Sequence, residues 1–238
     1  MNLQSSLTLY KSLRDWRPMF GGVLLAMLLA VLVGRRSIDF LSQVVFYGYP
    51  LLAIKSIADG FAFAQRAPVW AMLAQRGEPD TKAMWSLLGG GMAIYVGFAL
   101  LLGVGVVVGG ILPPAQEGLF SFWSRALLWM VVCGLAVAAT ATLSRRSTAG
   151  LAILWLALPF VNRVAQSSLE YSDRLRMAID FLLPPVMSLN AFADMLAGNE
   201  VASAGTIIAH ILFFPLLCAT IIHVRIRALA NPELPRIE

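Results

Sequence analysis

Charged residues are scarce in this sequence. Only 13% of its 238 residues are Asp, Glu, Lys or Arg, whereas soluble domains carry about 25%. Hydrophobic residues make up 59% of the chain. These proportions exclude a soluble cytosolic enzyme and a disordered chain, and they predict an all-α polytopic membrane protein with little mass outside the bilayer.

Residues that catalyse reactions or bind metals are also few. The two cysteines, Cys133 and Cys218, lie inside apolar runs, so a disulfide framework is not expected. With only His210 and His223 as histidines, we predict no metal site. No catalytic constellation and no phosphate-binding G-x-x-x-x-G-K-[ST] loop occurs in the sequence. We therefore predict no catalytic residues and no cofactor bound by this chain.

Six apolar runs approach the length of about 20 residues that a membrane-crossing helix needs. They predict six transmembrane helices at 18–34, 38–64, 83–112, 126–143, 148–161 and 202–224. The fifth run is short, and we expect Asn162 and the turn beyond it to complete its polar end. Residues 1–17 form an amphipathic pattern ending near a Trp, which predicts a helix in the cytoplasmic interface rather than a solvated tail.

The segment 163–198 does not read as a simple loop. Its first half is polar, and the apolar half from 181 to 198 is interrupted by Pro184, Pro185 and Asn190. Irregular backbone at membrane depth must be buried in protein or line a cavity. We therefore predict a re-entrant or interfacial pair of short helices on the extracytoplasmic side, before the last span.

Basic residues set the predicted orientation. With the N-terminus inside, the inner side holds twice as many Lys and Arg residues as the outer side, as the positive-inside rule requires. Both termini are then cytoplasmic and the chain is a multi-pass inner-membrane protein. The net charge of +5 follows from this topology, so we predict membrane lipids and no nucleic acid as partners.

Three passages carry a family resemblance. The second span runs into a charged segment containing Pro68 and Pro79, a short basic turn of Arg145 and Arg146 precedes the fifth span, and a proline-containing piece ending at Gly198 precedes the last span. With these passages, the whole chain resembles the transmembrane permease subunit of ABC-2-type (type V) ABC transporters. One departure is Gln65 before Arg66, where many members have an acidic residue.

The resemblance implies an ATP-driven exporter in which this chain forms half of the path. A second copy or a paralogue would complete the dimer, and a separate cytoplasmic ABC ATPase subunit would bind ATP and Mg²⁺. The cytoplasmic coupling segment 65–82 would dock on that ATPase, and the alternative is a solvated loop resting on lipid. The residues predicted to make this contact are Arg66, Trp70, Arg76, Glu78, Asp80 and Lys82.

Polar residues inside the predicted spans are candidates for the substrate path, because such residues are usually functional. They are Tyr47, Tyr49, Tyr95 and His210. The alternative for His210 is a hydrogen bond between helices. The apolar spans favour a lipidic, hydrophobic or peptide cargo over a small ion.

Other classes of protein remain open at this point. A membrane scaffold or assembly subunit would not need the coupling segment or the broken segment before the last span. An intramembrane enzyme acting on lipid would need paired polar residues at one depth. A secondary transporter would usually show an inverted repeat, which is not evident in this sequence.

Overall fold

The computed structural model describes residues 17, 20–25, 28, 38–64, 80–110, 116–143, 148–166, 179–196, 198–199 and 203–230. Nearly all of these residues are helical, which confirms the predicted all-α class. Residues 1–16 of the interfacial helix predicted over 1–17 and most of the coupling segment 65–82 lie outside the described residues. Only part of the first predicted span is described, and residues 20–25 of it are helical.

Seven α-helices and one π-helical turn are numbered here along the described chain. Helix α1 is Ile38–Ala53, and it continues through the π-helical turn Ile54–Ala58 into α2, Asp59–Ala64. The remaining helices are α3, Asp80–Gly110; α4, Gln116–Leu143; α5, Thr148–Gln166; α6, Val186–Leu196; and α7, Ala204–Ala230.

Three of these helices are long and apolar enough to cross a membrane. The apolar stretches are Thr81–Gly105 in α3, Phe122–Leu143 in α4 and Ala204–Ala228 in α7. Within the described ranges, α5 and α6 hold shorter apolar helices. The chain is therefore a helical membrane protein, and the count of six spans and the re-entrant segment remain predictions.

Helix α4 lies at the centre of the bundle. Helices α1, α3, α5, α6 and α7 all pack against it. Small buried residues such as Ala136 and Ala139 let its neighbours approach closely. At Gly134 an added Cβ would stand 2.9 Å from Cε1 of Tyr95, so the α3–α4 contact requires a glycine there.

Proline shapes α1. Pro50 has no N–H, so the carbonyl of Phe46 loses its usual partner four residues along the helix. The indole N–H of Trp129 on α4 donates to this carbonyl at 2.9 Å. The π-helical turn follows directly, and its Ser56 hydroxyl donates to the Leu52 carbonyl. A neighbouring helix thus satisfies the group that the proline leaves free.

Several helices extend beyond the predicted runs. Helix α4 begins at Gln116 rather than near 126, α5 continues to Gln166 rather than 161, and α7 continues to Ala230. Polar residues at helix ends stay helical when neighbours bind them. Asn162 Nδ2 donates to Asp180 Oδ1 at 2.8 Å, and Arg225 Nε donates to the carbonyl of Thr142, near the C-terminus of α4, at 3.4 Å.

Candidate functional site: an aromatic cleft with one arginine

A partly open cleft of about 190 Å³ lies between α1, α4, α5 and α6. Its floor and walls are mostly apolar, and two polar side chains stand among them. The lining residues that define its chemistry are Phe46, Phe122, Arg125, Trp129, Phe160 and Asn190. A mostly apolar cavity with a few convergent polar groups is the usual form of a small-molecule site.

The aromatic walls of the cleft are held in a fixed arrangement. The rings of Phe46 and Trp129 stack with centroids 4.8 Å apart and an interplanar angle of 4°. The ring of Phe160 meets Phe46 edge-on, at 5.7 Å and 90°. Because the indole N–H of Trp129 is already bonded to the Phe46 carbonyl, the two rings offer the cleft apolar surface.

Arg125 gives the cleft its charge. It lies one helical turn before Trp129 on α4, so both side chains project from the same face. Its guanidinium donates to Asn190 Oδ1 on α6 over a long 3.5 Å contact. Among the described residues, Arg125 is bonded to this amide oxygen and to no carboxylate. Within the described ranges, a cation without a bonded countercharge therefore stands beside an aromatic surface.

The break before α6 brings Asn190 to this position. Residues 179–182 are helical, and the helix stops at Pro184 and Pro185 before α6 begins. Two carbonyls at this break are bound by other helices. Trp155 of α5 donates its indole N–H to the Leu182 carbonyl at 3.3 Å, and His210 of α7 bonds the Leu183 carbonyl at 3.0 Å.

His210 joins α7 to the broken segment. Its Nδ1 lies 2.9 Å from Ser188 Oγ, and its ring stacks on Phe181 at 5.0 Å. Since the Leu183 carbonyl can only accept, Nε2 of the neutral imidazole carries the proton and Nδ1 accepts from the Ser188 hydroxyl. This geometry supports the interhelical bond over direct substrate contact.

The predicted tyrosines lie in two different environments, and none of them lines the cleft. Tyr47 faces outward with 64% of its surface exposed. Tyr49 is buried with its hydroxyl against Gly103, and that hydroxyl has no partner among the described residues. Tyr95 is buried and donates to the Met130 carbonyl at 2.9 Å. A role for the three in a substrate path stays a prediction.

The residues predicted to contact an ATPase are mostly outside the described part of the chain. This holds for Arg66, Trp70, Arg76 and Glu78. Asp80 and Lys82 lie in the first turn of α3, and Lys82 is exposed. Their coupling role therefore remains a prediction. Across the described ranges, no group of three His, Cys, Asp or Glu side chains that could hold a metal ion occurs.

Sequence reasoning missed the cleft. In the predicted topology, Arg125 is only one of the basic residues outside the bilayer, because it directly precedes the predicted span 126–143. Two signals point to the site. Arg125 sits within the apolar stretch Phe122–Leu143, and Pro50 frees a carbonyl that needs a donor, which a tryptophan on another span supplies.

The fold and the cleft together define a helical membrane protein with an amphiphilic cavity between its helices. The chain matches no protein-family profile, no curated protein and no solved structure.

Proposed function

We propose that the chain is the transmembrane permease subunit of an ATP-driven ABC exporter and that the aromatic cleft belongs to its substrate path. The cleft is the observation that carries the transport part of this proposal. It combines an apolar surface with one charged group between four helices. A site that holds a substrate during transport needs such a combination.

Irregular backbone beside the cleft supports a transport role. Pro50 and the π-helical turn interrupt α1, and Pro184 with Pro185 interrupts the segment that leads into α6. Transporters form substrate sites from such broken helices, because irregular backbone at membrane depth is tolerated where it is buried in protein or lines a cavity. Two of the four walls of the cleft therefore adjoin points where the chain can bend.

The proposed assembly follows the order of elements in the sequence. Six spans with both termini in the cytoplasm, and a re-entrant segment before the last span, would form half of the path, and a second copy or a paralogue would supply the other half. The segment 65–82, which leads into α3, would transmit the movement of a separate ATPase subunit that binds ATP and Mg²⁺.

Co-purification tests this proposal. The tagged full chain is extracted from its native host in mild detergent, and the bound proteins and their vanadate-sensitive ATP hydrolysis are measured. We expect a nucleotide-binding subunit at near-equal stoichiometry. The double variant Trp70→Ala/Arg76→Glu should lose it.

A matched control makes the same changes elsewhere. Trp85 and Arg227 are both exposed, on α3 and in the last turn of α7, so Trp85→Ala/Arg227→Glu should retain the ATPase. A wild-type chain that purifies alone and without ATPase activity would contradict the proposal and favour a membrane scaffold. Equal loss in both double variants would reject segment 65–82 as the docking element.

A further inference from the structure

We propose that the cleft binds an anionic amphiphile, with its phosphate or carboxylate on Arg125 and its apolar chain among Phe46, Trp129 and Phe160. This inference rests on the proposed function, since it names the substrate class of the same site. The binding itself is a property of the cleft and can be measured without any ATPase.

The depth of Arg125 matches the position of a lipid headgroup. From Arg125 to the end of α4 at Leu143, the helix rises about 27 Å at ~1.5 Å per residue. That length is close to the ~30 Å thickness of the hydrocarbon core. When α4 spans a bilayer, Arg125 therefore lies at one edge of the core, where anionic headgroups begin. Trp129, with Phe46 and Phe160 packed beside it, lies on the acyl-chain side.

The charge of the cleft selects an anion. Arg125 is half-buried, and among the described residues its guanidinium has only the distant Asn190 Oδ1 as a bonded partner. A guanidinium presents a planar set of donors that fits the oxygens of phosphate and carboxylate groups. An anion on Arg125 would replace one long contact with short, charge-assisted ones, and the Asn190 amide could donate to the same headgroup.

The size of the cleft selects a single chain. A volume of about 190 Å³ is below the ~300–1,000 Å³ of sites that enclose a whole drug-sized ligand. The cleft therefore holds one apolar segment, and the rest of the ligand stays in the surrounding lipid. The stacked pair of Phe46 and Trp129, closed at its edge by Phe160, forms a surface that suits such a segment.

Trp129 provides a direct readout. The full chain in maltoside micelles is titrated with lysophosphatidylglycerol that carries bromine on its single chain, because bromine quenches tryptophan fluorescence on contact. Monoacylglycerol with the same brominated chain has no phosphate and supplies the uncharged comparison, and inorganic phosphate supplies the free anion. The difference between wild type and Trp129→Phe isolates quenching of Trp129, and native mass spectrometry gives an independent count of bound lysolipid.

We expect the anionic lysolipid to bind about tenfold or more tightly than the uncharged monoacylglycerol, since hydrogen bonds to charged groups contribute about that much. Arg125→Gln should remove this preference, and Arg125→Lys should keep part of it. The matched control is Arg225→Gln, which removes the same charge from α7, where Arg225 bonds the Thr142 carbonyl, and should leave the preference unchanged.

Three results would overturn the proposal: equal affinity for the lysolipid and the monoacylglycerol in wild type, equal effects of Arg125→Gln and Arg225→Gln, or displacement of the lysolipid by inorganic phosphate alone. The comparison of the lysolipid with the monoacylglycerol needs no variant, so it stands even if Arg125→Gln does not fold. Loss of the anion preference in a chain that still binds an ATPase would reject only the substrate class. An anion preference in a chain without an ATPase would reject the exporter and keep the lipid site.

Discussion

Helices α4 and α7 are alike in sequence and opposite in position. Both are apolar along their length and similar in mean hydropathy, and both are long enough to cross a membrane. Yet 72% of an 18-residue stretch of the α4 span is buried inside the protein, compared with 28% of a stretch of the same length in the α7 span. Overall hydropathy therefore does not distinguish a central helix from a peripheral one in this bundle.

Side-chain size explains the difference. The buried part of α4 is rich in Ala, with Gly134, Thr140 and Thr142 among them, and the threonine hydroxyls bond to carbonyls of their own helix. Helix α7 instead exposes large apolar residues such as Leu212 and Leu216. Because lipid chains are as apolar as Leu, helices in a bilayer associate through close packing of small residues rather than through apolar burial.

Enlarging one alanine on each helix is expected to give the largest contrast. Ala139→Leu inserts a branched side chain at a fully buried position of α4 and should lower the free energy of unfolding by about 3 kcal/mol, because overpacking displaces neighbouring helices. Ala209→Leu on the exposed face of α7 should change it little. Titration with sodium dodecyl sulfate, followed by circular dichroism, measures both, and equal losses would show that α7 is as closely packed as α4.

His210 tests the inward-facing side of α7. His210→Ala removes the bonds to Ser188 and to the Leu183 carbonyl and leaves that carbonyl without its donor. We expect a loss of about 2 kcal/mol, within the range for orphaned buried polar groups. His223→Ala, at an exposed position nearer the other end of α7, is the control in the same unfolding titration. A His210→Ala protein as stable as this control would mean that another donor takes the carbonyl.

Replacing a glycine by alanine should change the free energy of unfolding less, and the change should again differ between α4 and α7. Gly134→Ala on α4 places a Cβ 2.9 Å from the Tyr95 ring, and the bond from Tyr95 to the Met130 carbonyl restricts that ring's movement. Alanine gains up to ~1 kcal/mol in helix propensity over glycine. Because the steric clash outweighs this gain, we expect the free energy of unfolding to fall by about 1 kcal/mol. Gly205→Ala on α7, where the new Cβ meets nothing within 4 Å, should cause no loss. Thermal unfolding in detergent compares the two.

Removing either of two buried tyrosine hydroxyls that face the centre of the bundle should change the free energy of unfolding least, and the two changes should differ in sign. Tyr95→Phe removes a bond to the Met130 carbonyl of α4 and should cost about 0.6 kcal/mol, the average for interhelical hydrogen bonds in membranes. Tyr49→Phe removes a hydroxyl that has no partner among the described residues and should be neutral or slightly stabilising. The detergent unfolding titration resolves the sign, and a loss at Tyr49→Phe equal to that at Tyr95→Phe would reveal a partner for its hydroxyl.

The sequence was sufficient to predict the helical class and the approximate position of most described helices, because hydrophobic length is a property of the chain itself. The break at Pro184 and Pro185 and the polar end at Asn162 could also be located from residue type. The inward-facing side of each helix could not, since a helix that is apolar all round has no polar face to mark the outside. Tyr47 and Tyr49 show this clearly: they are two residues apart, and one is exposed while the other is buried.

The cleft depends on contacts that no local pattern encodes. Phe46, Trp129, Phe160 and Asn190 come from four different helices, and their meeting follows from the packing of α1, α5 and α6 around α4. Arg125 was visible in the sequence as a charge beside an apolar run. Its use as the cation of a binding site emerged only when the aromatic residues around it were placed.

The bond from Trp129 to the Phe46 carbonyl also bears on how the protein is made. Helix α1 leaves the ribosome before α4. Until α4 is synthesised, the carbonyl freed by Pro50 lacks the indole N–H of Trp129 that binds it in the folded protein. An unsatisfied backbone group in hydrocarbon costs several kcal/mol. If α1 crosses the membrane, as the sequence predicts, its early release into lipid is unfavourable, and its insertion should be completed together with that of α4.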